Sequence, residues 1–214
     1  MKKILLSLGA ALLLAAGAQA QTSWGVKAGV NLGKYSGIEG GLEDYAKMNP
    51  SFYVTGFADL PVAANFSIQP GVSLQGKGAK YKVSGDIGEG TLTRNVMSIE
   101  VPVNAVYYIP VGYSGSVFLG AGPYIGFNVS GKDKASGSLE DSDSGASSSN
   151  DLSFSGDDKD MNVIDAGANF MAGYKFNNGF LINAGYNLGL TQLVPNESNT
   201  ISNRVLSFGV GFQF

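Results

Sequence analysis

Lys27, Asp59, Lys77, Glu100, Asp165 and Lys175 are the residues of this chain that could do chemistry together. Each falls on the polar side of a segment whose other side is apolar, so closing those segments into one wall would enclose all six. Three cations and three carboxylates in a narrow space offer ion pairing, a proton or ion path, or acid–base work by a carboxylate pair. The chain has 0 Cys and 0 His, which removes Ser–His and Cys–His nucleophiles from consideration. Glu100 and Asp165 have lysines on the same side to pair with. An enclosed charge without a partner costs several kcal/mol, so the six are expected to pair with one another. No cofactor and no metal site is expected. Asp141, Asp143 and Gly145 resemble a fragment of a calcium loop, but lack the third ligand before the glycine and the later glutamate.

The segments that carry these charges alternate with a period of two, as half-buried strands do. Trp24, Val26, Ala28, Val30 and Leu32 oppose Gly25, Lys27, Gly29, Asn31 and Gly33. Phe52 to Leu60 sets Val54 and Ala58 against Tyr53, Thr55, Phe57 and Asp59. From Phe66, Ile68, Val72 and Leu74 oppose Gln69, Ser73, Gln75 and Lys77. Ile99, Val101, Val103, Ala105 and Tyr107 oppose Ser98, Glu100 and Asn104. The same pattern recurs from Val117 to Ser130, Asp165 to Phe176, Phe180 to Leu190, and Val205 to Phe214. That makes eight strands. Pro70, Pro102 and Pro123 interrupt three neighbouring strands, where bulges or local breaks are expected.

Composition says what the apolar faces meet. Charged residues are 14% and glycines number 31, against roughly 25% charged and 7% glycine in ordinary soluble domains. A soluble ligand-carrying barrel would reverse the faces and carry charge outside. The net charge of −3 offers no basic surface to nucleic acid. No mature segment is apolar for 18 residues, so the membrane solution left is a closed sheet. The expected fold is all-β: an eight-stranded antiparallel transmembrane barrel of the outer-membrane type. Residues 1–20 read as a signal peptide: Lys2 and Lys3, an apolar run from Ile4 to Ala16, then Ala18-Gln19-Ala20. Residues 21–214 form the barrel domain. With no cysteine, its stability must come from hydrogen bonding and burial.

The connections alternate in length. Pro61–Asn65, Pro110–Ser114 and Asn177–Gly179 are short; Ser36–Pro50, Gly131–Asp160 and Val194–Ser202 are long. Short periplasmic turns and long external loops match this, and both termini then fall in the periplasm of a bacterial outer membrane. Trp24, Phe66, Tyr107, Phe176, Phe180 and Phe214 all lie at the short-turn end and make an aromatic girdle at the inner interface. Gly131–Asp160, with eight acids and nine serines, reads as a solvated external loop. The stretches 66–81 and 91–109 exceed the roughly 9–11 residues that span a membrane, which is equally compatible with a hairpin, turned at Ser84 to Gly90, that projects outside and with one that folds back.

GVKAGVNLGKYSG, SIQPGVSLQGKGAKY, SIEVPVNAVYYIP, VFLGAGPYIGF and FLINAGYNLGLTQL, in this order, resemble the small outer-membrane β-barrel family common in Bacteroidetes, often called PorT-like. The resemblance runs from about Gly25 to Phe214 and is broken mainly at the serine-rich loop. It implies an eight-stranded outer-membrane barrel without catalytic residues; a few such proteins are tied to the type IX secretion system. Phe212 and Phe214 likewise resemble the terminal aromatic signal read by the barrel assembly machinery. The partners expected are outer-membrane lipid, that machinery and other envelope proteins, around a monomeric barrel. Eight strands leave an interior only just wide enough for side chains, which favours a plug over a pore. Three functions stay in view: a structural or surface-interaction barrel acting through its loops, an accessory part of an envelope or type IX secretion machine, and a narrow ion channel.

Overall fold

Alternating apolar and polar residues give the backbone a reason to extend, and the computed structural model is almost entirely strand. It describes residues 22–37, 46–85, 88–138, 146–156, 159–195 and 201–214. Ten strands run β1 (Ser23–Ser36), β2 (Ala46–Lys47), β3 (Asn49–Ala63), β4 (Phe66–Gly85), β5 (Gly88–Val111), β6 (Gly115–Ser138), β7 (Ala146–Asp151), β8 (Ile164–Phe176), β9 (Phe180–Gly189) and β10 (Ser202–Gln213). Eight of them form a closed antiparallel ring in the order β1, β3, β4, β5, β6, β8, β9, β10 and back to β1. Closure satisfies every wall strand on both edges, which is what lets a sheet sit in lipid. At the seam, Trp24 and Phe214 exchange backbone hydrogen bonds of 3.0 and 2.8 Å.

Burial alternates along the wall as the sequence predicts. On β1, Gly25, Lys27, Asn31 and Gly33 point in while Trp24, Val26 and Val30 are exposed. The weakly patterned β3 follows the same rule, with Tyr53, Thr55, Phe57 and Asp59 buried and Phe52 and Val54 exposed. Three of the short connections, at Ala63–Phe66, Val111–Gly115 and Phe176–Phe180, are tight turns. Asn65 takes a positive φ of 61° there, a conformation asparagine tolerates better than most residues.

Pro70, Pro102 and Pro123 cause breaks, not bulges. Between β4 and β5 the pairing skips from Pro70↔Val103 to Ser73↔Glu100 in unchanged register. Between β5 and β6 it skips from Pro102↔Tyr124 to Ala105↔Ala121, again without a shift. A proline removes a donor but inserts no extra residue, so the ladder breaks and resumes. The register shifts lie elsewhere, at Met97/Ser98 and Pro61/Ala63. Pro102 faces inward and Pro123 outward, so the two rings do not share one lipid-facing patch. At the β5–β6 break the strands approach closely: a Cβ on Gly122 would lie 2.0 Å from the Val103 carbonyl oxygen and 2.7 Å from the Asn104 Cα. Gly122→Val is therefore expected to destabilise the barrel by about 1–3 kcal/mol, as overpacked interiors do. The urea midpoint in detergent checks this; an unchanged midpoint would show that the break absorbs the added atoms.

Beyond the ring the wall grows taller on one side. β5 and β6 have 24 residues each and β4 has 20. The β4–β5 hairpin pairs up to Gly85↔Gly88, and β5 pairs β6 up to Glu89↔Ser138. β2 adds to β4, and β7 adds to β6 through Lys132↔Asp151 to Gly137↔Ala146. This corrects one sequence expectation: Gly131–Asp160 is not wholly a loop, since β6 runs through Ser138 and β7 returns along it. Its serines and charges lack period-two contrast because no apolar face is required of them. Asp141, Asp143 and Gly145 lie outside the described residues.

Candidate functional site

The interior is built in tiers, starting at the short-turn end. Asp59 on β3 accepts hydrogen bonds from Gln69 Nε2 (2.8 Å), Tyr108 OH (3.1 Å), Gln213 Nε2 (3.2 Å) and Ser67 Oγ (3.4 Å). Above it Phe57, Val106, Phe118 and Leu181 form an apolar cluster. Lys175 lies over the Tyr108 ring at 4.7 Å and Lys27 over the Phe57 ring at 4.6 Å. Lys27 Nζ also reaches Met171 Sδ at 3.6 Å.

The middle tier is amide and hydroxyl. Asn31 Nδ2 donates to Gln75 Oε1 (2.7 Å), Thr55 and Ser73 hydroxyls meet at 2.6 Å, and Asn169 Nδ2 donates to Asn104 Oδ1 (3.3 Å). Thr55, Gln75, Asn104 and Asn169 border a cavity of about 60 Å³ that also reaches Glu100, room for a few waters.

The third tier carries the strongest electrostatics. Lys77 Nζ donates to Asp165 Oδ2 at 2.6 Å and contacts Glu100 Oε1. Asp165 is completely buried and also accepts from Asn203 Nδ2 (2.8 Å) and Thr191 Oγ1 (3.3 Å). The Tyr124 ring sits under Lys77 at 4.7 Å. Cross-strand register explains the meeting: Glu100 on β5, Gly126 on β6 and Asp165 on β8 lie in one row. Glycine at the centre of the row leaves room, since a Cβ there would come within 3.0 Å of the Glu100 Cγ. A lid closes the long-strand mouth, formed by Tyr35, Ala79, Val96, Met161 and Leu193, with Leu152 and Phe154 packed against it.

The expectation that all six charges pair is therefore only partly met. Lys77, Glu100 and Asp165 come together; Lys27, Lys175 and Asp59 form no salt bridge among the described residues. Those three sit at the other end of the barrel, where aromatic faces take up the lysines and amides take up the carboxylate. Sequence reasoning missed the lid residues Met161, Leu193, Leu152 and Phe154, although a few large apolar residues in otherwise polar segments were the available signal. It also missed the bidentate Arg94–Asp133 pair (2.8 and 2.6 Å) in the wall above the barrel. Among the described residues no group of three or more Asp, Glu, His or Cys is placed to hold a metal ion.

A closed eight-stranded ring with an apolar outside and a polar inside is the solution lipid demands of a sheet. The family model of the outer membrane protein beta-barrel domain matches residues 18–194. The chain belongs to that family. The exposed apolar faces of this outer-membrane barrel, Val26, Val30, Val101, Leu119, Phe208 and Val210 among them, thus meet lipid. Trp24, Phe66, Tyr107, Phe176, Phe180 and Phe214 lie on this outward side at the short-turn end, with the Phe176 and Phe180 rings 5.8 Å apart. Solved structures similar to the barrel include Neisserial surface protein A (18% identity, 91% of this chain and 99% of that one, TM-score 0.45). The attachment invasion locus protein Ail of Yersinia pestis (14% identity, 91% and 99%, TM-score 0.42) is another. The N-terminal barrel domain of Pseudomonas aeruginosa OprF (15% identity, 91% and 100%, TM-score 0.34) is a third. No curated protein sequence matches the barrel significantly.

Proposed function

We propose that this outer-membrane barrel is a non-enzymatic, non-conducting protein that acts through the sheet it raises beyond the membrane. One observation carries the reading: the interior is filled by an apolar cluster at one end and an apolar lid at the other, while β4, β5 and β6 run on past the ring. A wall built taller than the membrane, around a lumen that these two apolar clusters fill among the described residues, invests its length in surface. The absence of any His or Cys supports a role without catalysis. In this reading residues 1–20 direct export, Phe212 and Phe214 are read by the barrel assembly machinery, both termini are periplasmic, and the barrel works as a monomer. The aromatic girdle anchors its short-turn end. The quoted motifs favour the PorT-like, Bacteroidetes branch of the family.

A second reading, an accessory barrel of an envelope or type IX secretion machine, draws support from β7. Its pairing among the described residues is with β6 alone, which leaves an edge able to take up a partner strand. Gentle extraction and a native gel separate the two. The stand-alone reading expects a lone barrel with its detergent shell; a complex several times its mass would favour the machine. Orientation is tested in the same cells. Because the chain has 0 Cys, a single Ser136→Cys should react with a membrane-impermeant maleimide on intact cells and Asn178→Cys should not. Labelling of Asn178→Cys alone would invert the topology.

A further inference from the structure

The lysines outside the barrel are not scattered. Lys34, Lys47, Lys82, Lys132 and Lys134 are exposed, and Lys80 and Arg204 are half-buried. All seven lie at the long-strand end. In the barrel wall they share the outward face with the lipid-facing residues: Lys34 follows Leu32 by two positions on β1, and Arg204 precedes Leu206 by two on β10. Two residues of strand are roughly 7 Å, within the head-group layer of roughly 5–8 Å on each side of the hydrocarbon. On the taller wall, Lys80 opposes Thr93, Thr93 opposes Lys134, and Lys82 and Lys132 flank them on the same face. At the opposite, short-turn end, the charged side chains of the wall, Asp59, Lys27 and Lys175, point inward.

Two features of the described residues say that this belt draws a counter-charge from beyond them. Lys34 lies directly opposite Arg204, and Lys47 directly opposite Lys80. Like charges in directly opposed positions destabilise a sheet unless a counter-charge comes from elsewhere. Among the described residues the acids that could supply it are few. Asp133 serves Arg94 on the inner face, and Asp151, at 3.4 Å from Lys132, is the one carboxylate in salt-bridge contact with the belt among the described residues.

We propose that this belt binds the phosphate groups of outer-leaflet glycolipids, continuing the lipid-facing surface from the hydrocarbon into the head-group layer. Position and charge select the occupant: the cations begin where the apolar band stops, on the same face, and rise with the wall. Thr91 and Thr93 add hydroxyl donors between the lysines. The assignment to the outer leaflet rests on the orientation proposed above, whereas phosphate recognition does not.

The test uses the full folded chain in zwitterionic detergent, with bis-phosphorylated lipid A, the same lipid stripped of phosphate, and hexametaphosphate as probes. Binding is read by native mass spectrometry on protein that keeps the heat-modifiable mobility of a folded barrel. Lys80, Lys82, Lys132 and Lys134 changed together to Gln should weaken lipid A binding about 10-fold or more, and the same four changed to Arg should retain it. Raising the salt should bring the native protein toward the Gln variant. Equal binding of the phosphate-free lipid, or an unaffected Gln variant, overturns the proposal. Tighter binding of hexametaphosphate than of lipid A also overturns it, in favour of a soluble polyanion. If lipid A binds as expected but Ser136→Cys proves unreachable from outside, phosphate recognition stands and the outer-leaflet assignment falls.

Discussion

Lys77→Met is expected to destabilise the folded barrel by about 3–5 kcal/mol, the cost of removing one partner from a buried ion cluster. Lys77 is 1% exposed, Glu100 1% and Asp165 0%, so bulk water does not replace the ammonium. Methionine keeps the stem and its packing on the Tyr124 ring but leaves two carboxylates facing one site. Asn203 and Thr191 still reach Asp165, and nothing comparable reaches Glu100. The compensating variant is informative: Lys77→Met with Glu100→Gln and Asp165→Asn should recover most of the loss, because neutral groups of similar shape often replace a buried ion cluster at little cost. Urea unfolding followed by heat-modifiable mobility measures all three proteins. A single variant as stable as the native chain would mean that the triad contributes nothing; a triple variant as unstable as the single would assign the loss to packing.

The second large effect belongs to the outside. Val210→Arg, near the middle of β10 on the lipid face, is expected to cost about 2–4 kcal/mol, while Leu206→Arg, next to Arg204 at the membrane edge, should cost about 0–1 kcal/mol. Val210 is 51% exposed with Phe208 and Phe212 on either side along the same face. In water such an exposed valine would accept arginine for almost nothing. The depth dependence therefore reads the environment directly, by unfolding into urea from lipid vesicles. Equal costs at the two positions would contradict a membrane centred on Val210.

All eight wall strands were legible because lipid on one side and packed polar groups on the other force a period of two. The same argument explains what was not legible. β7 and the upper part of β6 lie beyond the apolar band, where no hydrocarbon imposes a period, so Ser147, Ser148 and Ser149 read as loop. The lid depends on Met161, Leu193, Leu152 and Phe154, each apolar within a polar stretch and brought together only by the returning segments. The triad was legible as a set of charges but not as a geometry. That Glu100 and Asp165 converge depends on their shared row through Gly126, and that Lys27 and Lys175 stay apart from them depends on Phe57 and Tyr108 being nearer. Register, which sequence does not display, decides both.

The seam between β1 and β10 sets an order on assembly. The β4–β5 hairpin closes across Gly85 and Gly88 and can zip as soon as those residues exist, whereas Ser23 and Gln213, which hydrogen-bond across the seam, are 190 positions apart. Loop-closure entropy grows with separation, so the wall can grow by local additions and the ring must wait for its most distant pair. Until then the sheet has two bare edges, each a template for another chain. Closing the ring is a contest between the protein's own far end and the nearest neighbouring copy, and crowding of unfinished chains tilts it toward the neighbour.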